Sequence, residues 1–219
     1  MAKFENIKTI FFDYDGTLHN SIRIYGPAFR KAYAFLIENG YAEERQWADR
    51  EISYWLGFNP SDMWREFMPD LSDNLRDKAS KIIAEEMRSL IEAGKPELYE
   101  GAIETLEYFK SKGIKLVFIS NCKIYYRDCH KKLFSLDDYF EELACSEEYK
   151  YIPKYEILNI VKKSYQNDML IVGDRKQDIE AGRKNGIFTI GCSYGFGLSG
   201  ELEDADIIIN DISDLRKLI

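Results

Sequence analysis

Phe-Phe-Asp-Tyr-Asp-Gly-Thr, at residues 11–17, ends an apolar run that begins at Ile7. Two carboxylates, those of Asp13 and Asp15, therefore follow a segment whose side chains are expected to be buried. Burial of a carboxylate is unfavourable unless a cation or hydrogen bonds compensate its charge. The stretch predicts a strand whose end carries a bound cation, a nucleophile or both. The alternative is an ordinary strand end at which Asp-Gly makes a tight turn.

Four further apolar runs predict strands, because each is short, nearly continuous and bounded by turn residues. They lie at residues 116–119, 169–172, 187–190 and 207–209. Apolar residues at helical spacing occupy the intervals and predict helices over residues 102–112, 155–165 and 178–185. Strands that alternate with helices are typical of an α/β fold with a doubly wound, Rossmann-like parallel sheet.

A long insertion follows the first strand. Residues 21–98 contain apolar stripes at helical spacing and no strand-like run. We interpret this segment as an all-α helical cap domain inserted into the α/β core. The core then consists of residues 1–20 and 99–219.

The composition limits the classes of partner. The net charge is -8 and there is no long basic block, so we expect no nucleic-acid partner. No apolar run approaches the length of a membrane span, and the first residues do not lead into a signal peptide, so we expect no membrane association. The four cysteines lack CxxC spacing, which favours reduced thiols in a cytoplasmic protein. The oligomeric state is not indicated.

Polar side chains follow three of the predicted strands. They are Asp13 with Asp15, Ser120 with Asn121, and Asp174. In open α/β sheets, ligands bind beyond the carboxyl ends of the strands. We therefore expect these side chains to converge on one crevice.

Four segments, in order, resemble the four sequence motifs of the haloacid dehalogenase superfamily. They are Asp-Tyr-Asp-Gly-Thr at 13–17, Ile-Ser-Asn at 119–121, a lysine before a helix at 154, and Gly-Asp-Arg-Lys-Gln-Asp at 173–178. Their spacing resembles the phosphatase branch with a helical (C1-type) cap, which contains phosphoglycolate-phosphatase-like enzymes. The resemblance covers the whole chain. It implies a Mg²⁺-dependent hydrolase that acts on a small phosphomonoester.

The resemblance also implies roles for individual residues. Asp13 would attack phosphorus and form an aspartyl-phosphate. Asp15 would act as general acid and base, which requires that Asp13 be ionised and that Asp15 hold a proton. Mg²⁺ on Asp13 and a free side chain on Asp15 would separate the two pKa values in this way. The expected ligands of Mg²⁺ are Asp13, the backbone carbonyl of Asp15 and Asp174. Asp178 would orient these ligands without binding the ion directly.

The phosphate group of the substrate needs hydrogen-bond donors. The resemblance assigns this role to Ser120, Asn121, the backbone at Tyr14, and Lys154. The lysine is ambiguous, because Lys150 precedes Pro153 with a spacing that resembles a second family variant. We favour Lys154.

Several alternatives stay open. Tyr25 stands where the related phosphomutases carry a histidine, and the chain has only two histidines, which favours hydrolysis over mutase action. Pyrophosphatase activity and a catalytically silent scaffold that binds Mg²⁺ and phosphate also remain. A phospho-acceptor receiver module is disfavoured by the large insertion and by Asp15. In the insertion, Asn59 and Arg65 are candidates to contact substrate.

Overall fold

The computed structural model describes residues 4, 6–56, 58, 60–165 and 168–219. Asn59, one of the two specificity candidates, lies outside these residues. The chain divides into two compact units, the first formed by Met1–Asn20 and Glu97–Ile219 and the second by Ser21–Pro96. Among the described residues, no helix is both long and apolar enough to cross a membrane.

The first unit is built on a six-stranded parallel sheet. The strands are β1 (Thr9–Phe12), β2 (Lys115–Ser120), β3 (Glu142–Cys145), β4 (Met169–Gly173), β5 (Phe188–Cys192) and β6 (Ile207–Ile209). Their order in the sheet is β3-β2-β1-β4-β5-β6. The central strand β1 pairs with β2 and β4, so that Phe12 lies between Phe118 and Val172. The direction of winding reverses beside β1, which is where ligands bind in folds of this kind.

Helices cover both faces of the sheet. They are α5 (Ala102–Ser111), α6 (Ile124–Phe134), α7 (Lys154–Val161), α8 (Lys176–Asn185) and the short α9 (Leu215–Leu218). Ile10 and Phe12 of β1 belong to one apolar cluster, whereas Phe11 belongs to the cluster on the opposite face. A strand that is buried on both faces has no polar side, which explains the continuous apolar runs in the sequence. The predicted doubly wound α/β fold is confirmed.

The strand β3 was not predicted from the sequence. β3 forms an edge of the sheet, and its first two residues, Glu142 and Leu143, are only half-buried. A four-residue edge strand that carries a charged residue has neither a continuous apolar run nor a clear alternation. The predicted helix over residues 155–165 also differs from the structure, because α7 ends at Val161 and a 3-10 turn follows at Lys162–Ser164.

The second unit is helical. Its helices are α1 (Ile22–Glu38), α2 (Asp49–Ser53), α3 (Pro60–Phe67) and α4 (Asp73–Glu92). Trp64 is buried, and its indole nitrogen donates a hydrogen bond to Ser80 Oγ at 2.8 Å. Trp47 packs edge-on against Phe29 and Tyr33. These two tryptophans therefore build the core of this unit, while Arg65 lies exposed on α3.

The chain leaves and re-enters the first unit through two neighbouring segments. Tyr99 N–H donates a hydrogen bond to the carbonyl of Leu18 at 2.8 Å, and Asn20 N–H donates to the carbonyl of Glu97 at 2.9 Å. The segments on either side of the insertion are thus hydrogen-bonded to each other.

Candidate active site

The candidate site lies at the carboxyl ends of three neighbouring strands. Asp13 follows β1, Ser120 is the last residue of β2, and Asp174 follows β4. Asp13 N–H donates a hydrogen bond to the carbonyl of Val172 at 2.9 Å, so the sheet ladder continues as far as this carboxylate. Lys154 begins α7, and Asp178 lies in the first turn of α8. The structure therefore brings together side chains that are far apart in the sequence.

Lys154 joins two of the carboxylates. Its ammonium nitrogen lies 2.5 Å from Asp13 Oδ1 and 2.6 Å from Asp178 Oδ1, and the residue is only 5% exposed. Burial alone would lower the pKa of this lysine, but the two carboxylates outweigh burial and raise it above its ordinary value. Lys150 lies exposed in the loop before α7 in a left-handed backbone conformation. The structure thus places Lys154 beside Asp13.

Three buried carboxylates form the cluster that could hold a metal ion. One oxygen from each of Asp13, Asp174 and Asp178 lies within 4.8 Å of the other two. Burial, together with the charge of Asp178, raises the pKa of Asp13 to about 7. Burial and the charges of Asp13 and Asp178 raise the pKa of Asp174 well above its ordinary value. Lys154 therefore does not supply enough positive charge, and a divalent cation would correct the deficit.

The three carboxylates differ in the oxygen atoms that they leave available. Asp178 Oδ1 accepts from Lys154, and its Oδ2 accepts from the backbone N–H of Arg175 at 3.0 Å. Asp174 Oδ2 accepts from the backbone N–H of Phe196 at 2.6 Å. Asp174 Oδ1 is buried and has no hydrogen-bond partner among the described residues. Because a buried, unpartnered carboxylate oxygen is unfavourable, the donor set fits a metal ion held by Asp13 and Asp174.

Glycine residues let the backbone approach Asp174 closely. A Cβ atom at Gly16 would lie 2.1 Å from Asp174 Oδ2, and one at Gly195 would lie 2.3 Å from Asp174 Cβ. Gly16 also has a φ of 83°, which other residues adopt only with strain. Any side chain at these positions would displace the carboxylate.

Asp15 differs from the expectation of a free side chain. Tyr126 Oη donates a hydrogen bond to Asp15 Oδ1 at 2.7 Å, and His19 Nδ1 lies 2.9 Å from the same oxygen. Burial would raise the pKa of Asp15, but these two hydrogen bonds outweigh it and hold that pKa below its ordinary value. Without a metal ion, the pKa of Asp13 is raised and that of Asp15 is lowered, whereas the opposite order is expected with Mg²⁺ on Asp13. The expectation of a free Asp15 side chain was wrong, because His19 and Tyr126 lie outside the four motifs.

The remaining phosphate-binding candidates occupy different environments. Ser120 is buried and Asn121 is exposed at the end of β2. The side chain of Tyr14 is fully buried, and its hydroxyl forms a hydrogen bond with His130 Nδ1 at 2.7 Å. Burial, with His19 nearby, lowers the pKa of His130 to about 3, and this histidine is a neutral core residue.

Comparison with known proteins identifies the family. The model of the haloacid dehalogenase-like hydrolase family matches residues 10–192. A phosphoglycolate phosphatase of Mannheimia succiniciproducens is 27% identical over 225 residues, which cover 97% of this chain and 98% of the relative. A pyrophosphatase PpaX of Bacillus mycoides is 23% identical over 230 residues, with 97% of each chain covered.

Solved structures share the fold. A crystal structure from Clostridium difficile, described as a candidate phosphatase, superposes with a TM-score of 0.81 at 24% identity and covers 98% of this chain and 100% of that chain. The family resemblance and the hydrolase class predicted from the sequence are confirmed by these matches. The chain belongs to the haloacid dehalogenase-like hydrolase family.

Proposed function

We propose that this protein is a Mg²⁺-dependent phosphomonoester hydrolase that acts on a small phosphorylated metabolite through an aspartyl-phosphate. The observation that carries the proposal is the cluster of Asp13, Asp174 and Asp178, in which Lys154 pairs with Asp13 and Asp178 and three carboxylates face one lysine. Phosphoryl transfer requires mainly positioning and charge neutralisation from the protein. A site that is short of positive charge beside a strand-end carboxylate suits both needs.

In the proposed reaction, an oxygen of Asp13 forms a bond to phosphorus while the bond from phosphorus to the ester oxygen breaks. Asp15 takes up a proton when the substrate binds, because the negative charge of the phosphate group raises its pKa, and gives that proton to the departing oxygen. Water then attacks phosphorus, Asp15 takes the proton of that water, and the bond from Asp13 to phosphorus breaks. Inorganic phosphate leaves, and both aspartates return to their starting states.

The other residues of the site bind and orient. Lys154 holds Asp13 Oδ1 and offers its charge to the phosphate oxygens, with Ser120, Asn121 and the backbone at Tyr14 as further donors. Asp13, Asp174 and the backbone carbonyl of Asp15 would hold Mg²⁺, and Asp178 positions Lys154 and the start of α8. Mg²⁺, when bound, would supply the positive charge that offsets the carboxylates and the phosphate.

The helical unit, residues 21–98 in the sequence-based division, would act as a cap that selects the substrate. Arg65 is the described candidate on that unit to contact substrate. The names of the relatives favour two substrates, phosphoglycolate and pyrophosphate. Tyr25, which replaces the histidine of the mutases, favours hydrolysis over mutase action. The four free thiols fit a reducing, cytoplasmic compartment.

The test is phosphate release from a panel of small phosphate compounds, measured with Mg²⁺ and with EDTA. The panel contains phosphoglycolate, a sugar phosphate, a nucleotide and pyrophosphate. We expect release that requires metal and that Asp13→Asn abolishes, since a neutral amide cannot attack phosphorus. Appreciable activity of Asp13→Asn would overturn the nucleophile. Binding of Mg²⁺ without release from any compound would favour a scaffold.

A further inference from the structure

Asp15 is held by two side chains that have no role in the mechanism above. Tyr126 Oη and His19 Nδ1 both bond Asp15 Oδ1, at 2.7 and 2.9 Å. The same two atoms also contact each other, at 3.0 Å. The three groups form a closed triangle, so the carboxyl group of Asp15 cannot rotate without breaking two hydrogen bonds.

Buried rings hold this triangle in place. His19 is fully buried and lies parallel to the ring of Tyr14, with ring centroids 5.2 Å apart. Tyr126 stacks on His130, with ring centroids 4.1 Å apart. The hydrogen bond between Tyr14 and His130 joins the two stacks. Because packing fixes all four rings, the donors to Asp15 are preorganised.

The two hydrogen bonds make the oxygens of Asp15 unequal. Both end on Oδ1, and among the described residues none ends on Oδ2. The side chain is 33% exposed. An oxygen that accepts two hydrogen bonds behaves as the carbonyl oxygen of the acid, so a proton on Asp15 would reside on Oδ2.

We propose that His19 and Tyr126 are positioning residues that direct Asp15 Oδ2 at the ester oxygen of the substrate. The inference rests on the proposed function. Oδ2 gives its proton to the ester oxygen as the bond from that oxygen to phosphorus breaks, and later takes a proton from the attacking water. The triangle holds one oxygen of Asp15 in place for both transfers.

The decisive variant is Tyr126→Phe, and Tyr165→Phe is its matched control. Tyr165 is also half-buried, and its hydroxyl donates to a carboxylate, Glu142, at 3.1 Å. The readout is kcat/KM for two esters, an alkyl phosphate and p-nitrophenyl phosphate. This quantity reports the steps up to formation of the phosphoenzyme. An alkoxide needs a proton to leave, whereas nitrophenolate leaves without one.

We expect Tyr126→Phe to lower kcat/KM for the alkyl ester about tenfold or more, a fraction of the usual contribution of general acid catalysis. For p-nitrophenyl phosphate we expect a fall of less than about threefold. Tyr165→Phe should change neither value. His19→Asn, whose amide can replace Nδ1 as a donor, should retain more alkyl-ester activity than His19→Leu. Equal falls for both esters, or no fall, would overturn the inference.

A second measurement does not depend on activity. Because the chain contains only two histidines, the imidazole nitrogen signals in an NMR spectrum can be assigned to His19 and His130. Tyr126→Phe should shift the signals of His19, and Tyr165→Phe should not. An unshifted His19 spectrum would refute the triangle.

The proposed function and the positioning role of His19 and Tyr126 are separated by different results. If the parent protein hydrolyses no phosphate ester, the proposed function is wrong and this role falls with it. If the parent is active and Asp13→Asn is not, but the variants affect both esters equally, only the positioning role is wrong.

Discussion

Replacing Lys154 with methionine tests the charge balance of the site. The ammonium group of Lys154 makes hydrogen bonds of 2.5 and 2.6 Å to Asp13 and Asp178, and all three side chains are buried. A hydrogen bond to a charged group contributes about 1.5–3 kcal/mol. Removing one partner of a buried ion pair costs about 3–5 kcal/mol. We therefore expect Lys154→Met to lower the free energy of unfolding by about 3–5 kcal/mol at pH 8 in EDTA.

The loss of unfolding free energy caused by Lys154→Met should be larger at high pH than at low pH. The pKa of Asp13 is already raised from 3.8 to about 7 with the lysine present. The folded protein therefore binds more protons than the unfolded chain between these values, and its stability falls as the pH rises. Without Lys154, the pKa of Asp13 rises further. At pH 5 Asp13 is protonated and one buried charge is gone, so the cost of Lys154→Met should be smaller than at pH 8.

Urea unfolding at pH 5 and pH 8 measures both quantities. The control is Lys150→Met, which removes an exposed lysine four residues away and should change stability little at either pH. Phosphate release should fall by orders of magnitude in Lys154→Met and be retained in Lys150→Met. Equal stability of the two variants at pH 8, or a larger loss at pH 5, would refute the charge argument. A larger fall in activity for Lys150→Met would transfer the phosphate role to that residue.

Three further results are expected. Gly16→Ala should weaken Mg²⁺ binding at least about tenfold in calorimetry, because the added Cβ would lie 2.1 Å from Asp174 Oδ2. The control Gly40→Ala should leave Mg²⁺ binding unchanged, because Gly40 has a similar φ of 74° but no atom within 4 Å of an added Cβ. Mg²⁺ should raise the melting temperature more at pH 8 than at pH 5, since protons compete for Asp13 below its pKa of about 7; an equal rise would contradict this competition. Trp64→Phe should lower the free energy of unfolding by about 1–3 kcal/mol in urea titrations, through loss of its hydrogen bond to Ser80 and of packing; an unchanged value would contradict a core role.

The central strands could be predicted from the sequence, because their burial leaves a nearly continuous apolar run before each candidate site residue. Asp13 and Asp174 follow such runs directly, so their convergence could be expected from the geometry of a parallel sheet. The edge strand β3 could not be predicted, because its half-buried residues form neither a continuous apolar run nor a clear alternation of apolar and polar residues. The choice between Lys150 and Lys154 depended on the backbone path of the loop before α7, which spacing alone does not determine.

The side-chain contacts of Asp15 could not be predicted from the sequence for a different reason. His19 lies four residues from Asp15, so a turn could bring the two side chains together. A single histidine in a sequence, however, does not indicate which way its side chain points. Tyr126 lies 111 residues away, in a helix without a motif. A pKa that depends on such contacts cannot be read from a motif. The motif indicates which side chains are candidates for the chemistry, whereas tertiary contacts shift their pKa values.

The hydrogen-bonded segments beside the insertion have an evolutionary consequence. Asn20 and Glu97 are neighbours through a 2.9 Å hydrogen bond, so their α-carbons lie roughly 5 Å apart. A two-residue turn spans such a gap. The insertion is therefore a continuous segment whose two ends lie side by side, so that a change in its length would not require the strands of the sheet to be reordered. Under the proposed function, exchange of this one contiguous gene segment would change substrate preference, while Asp13 and Asp174 would keep their places after β1 and β4.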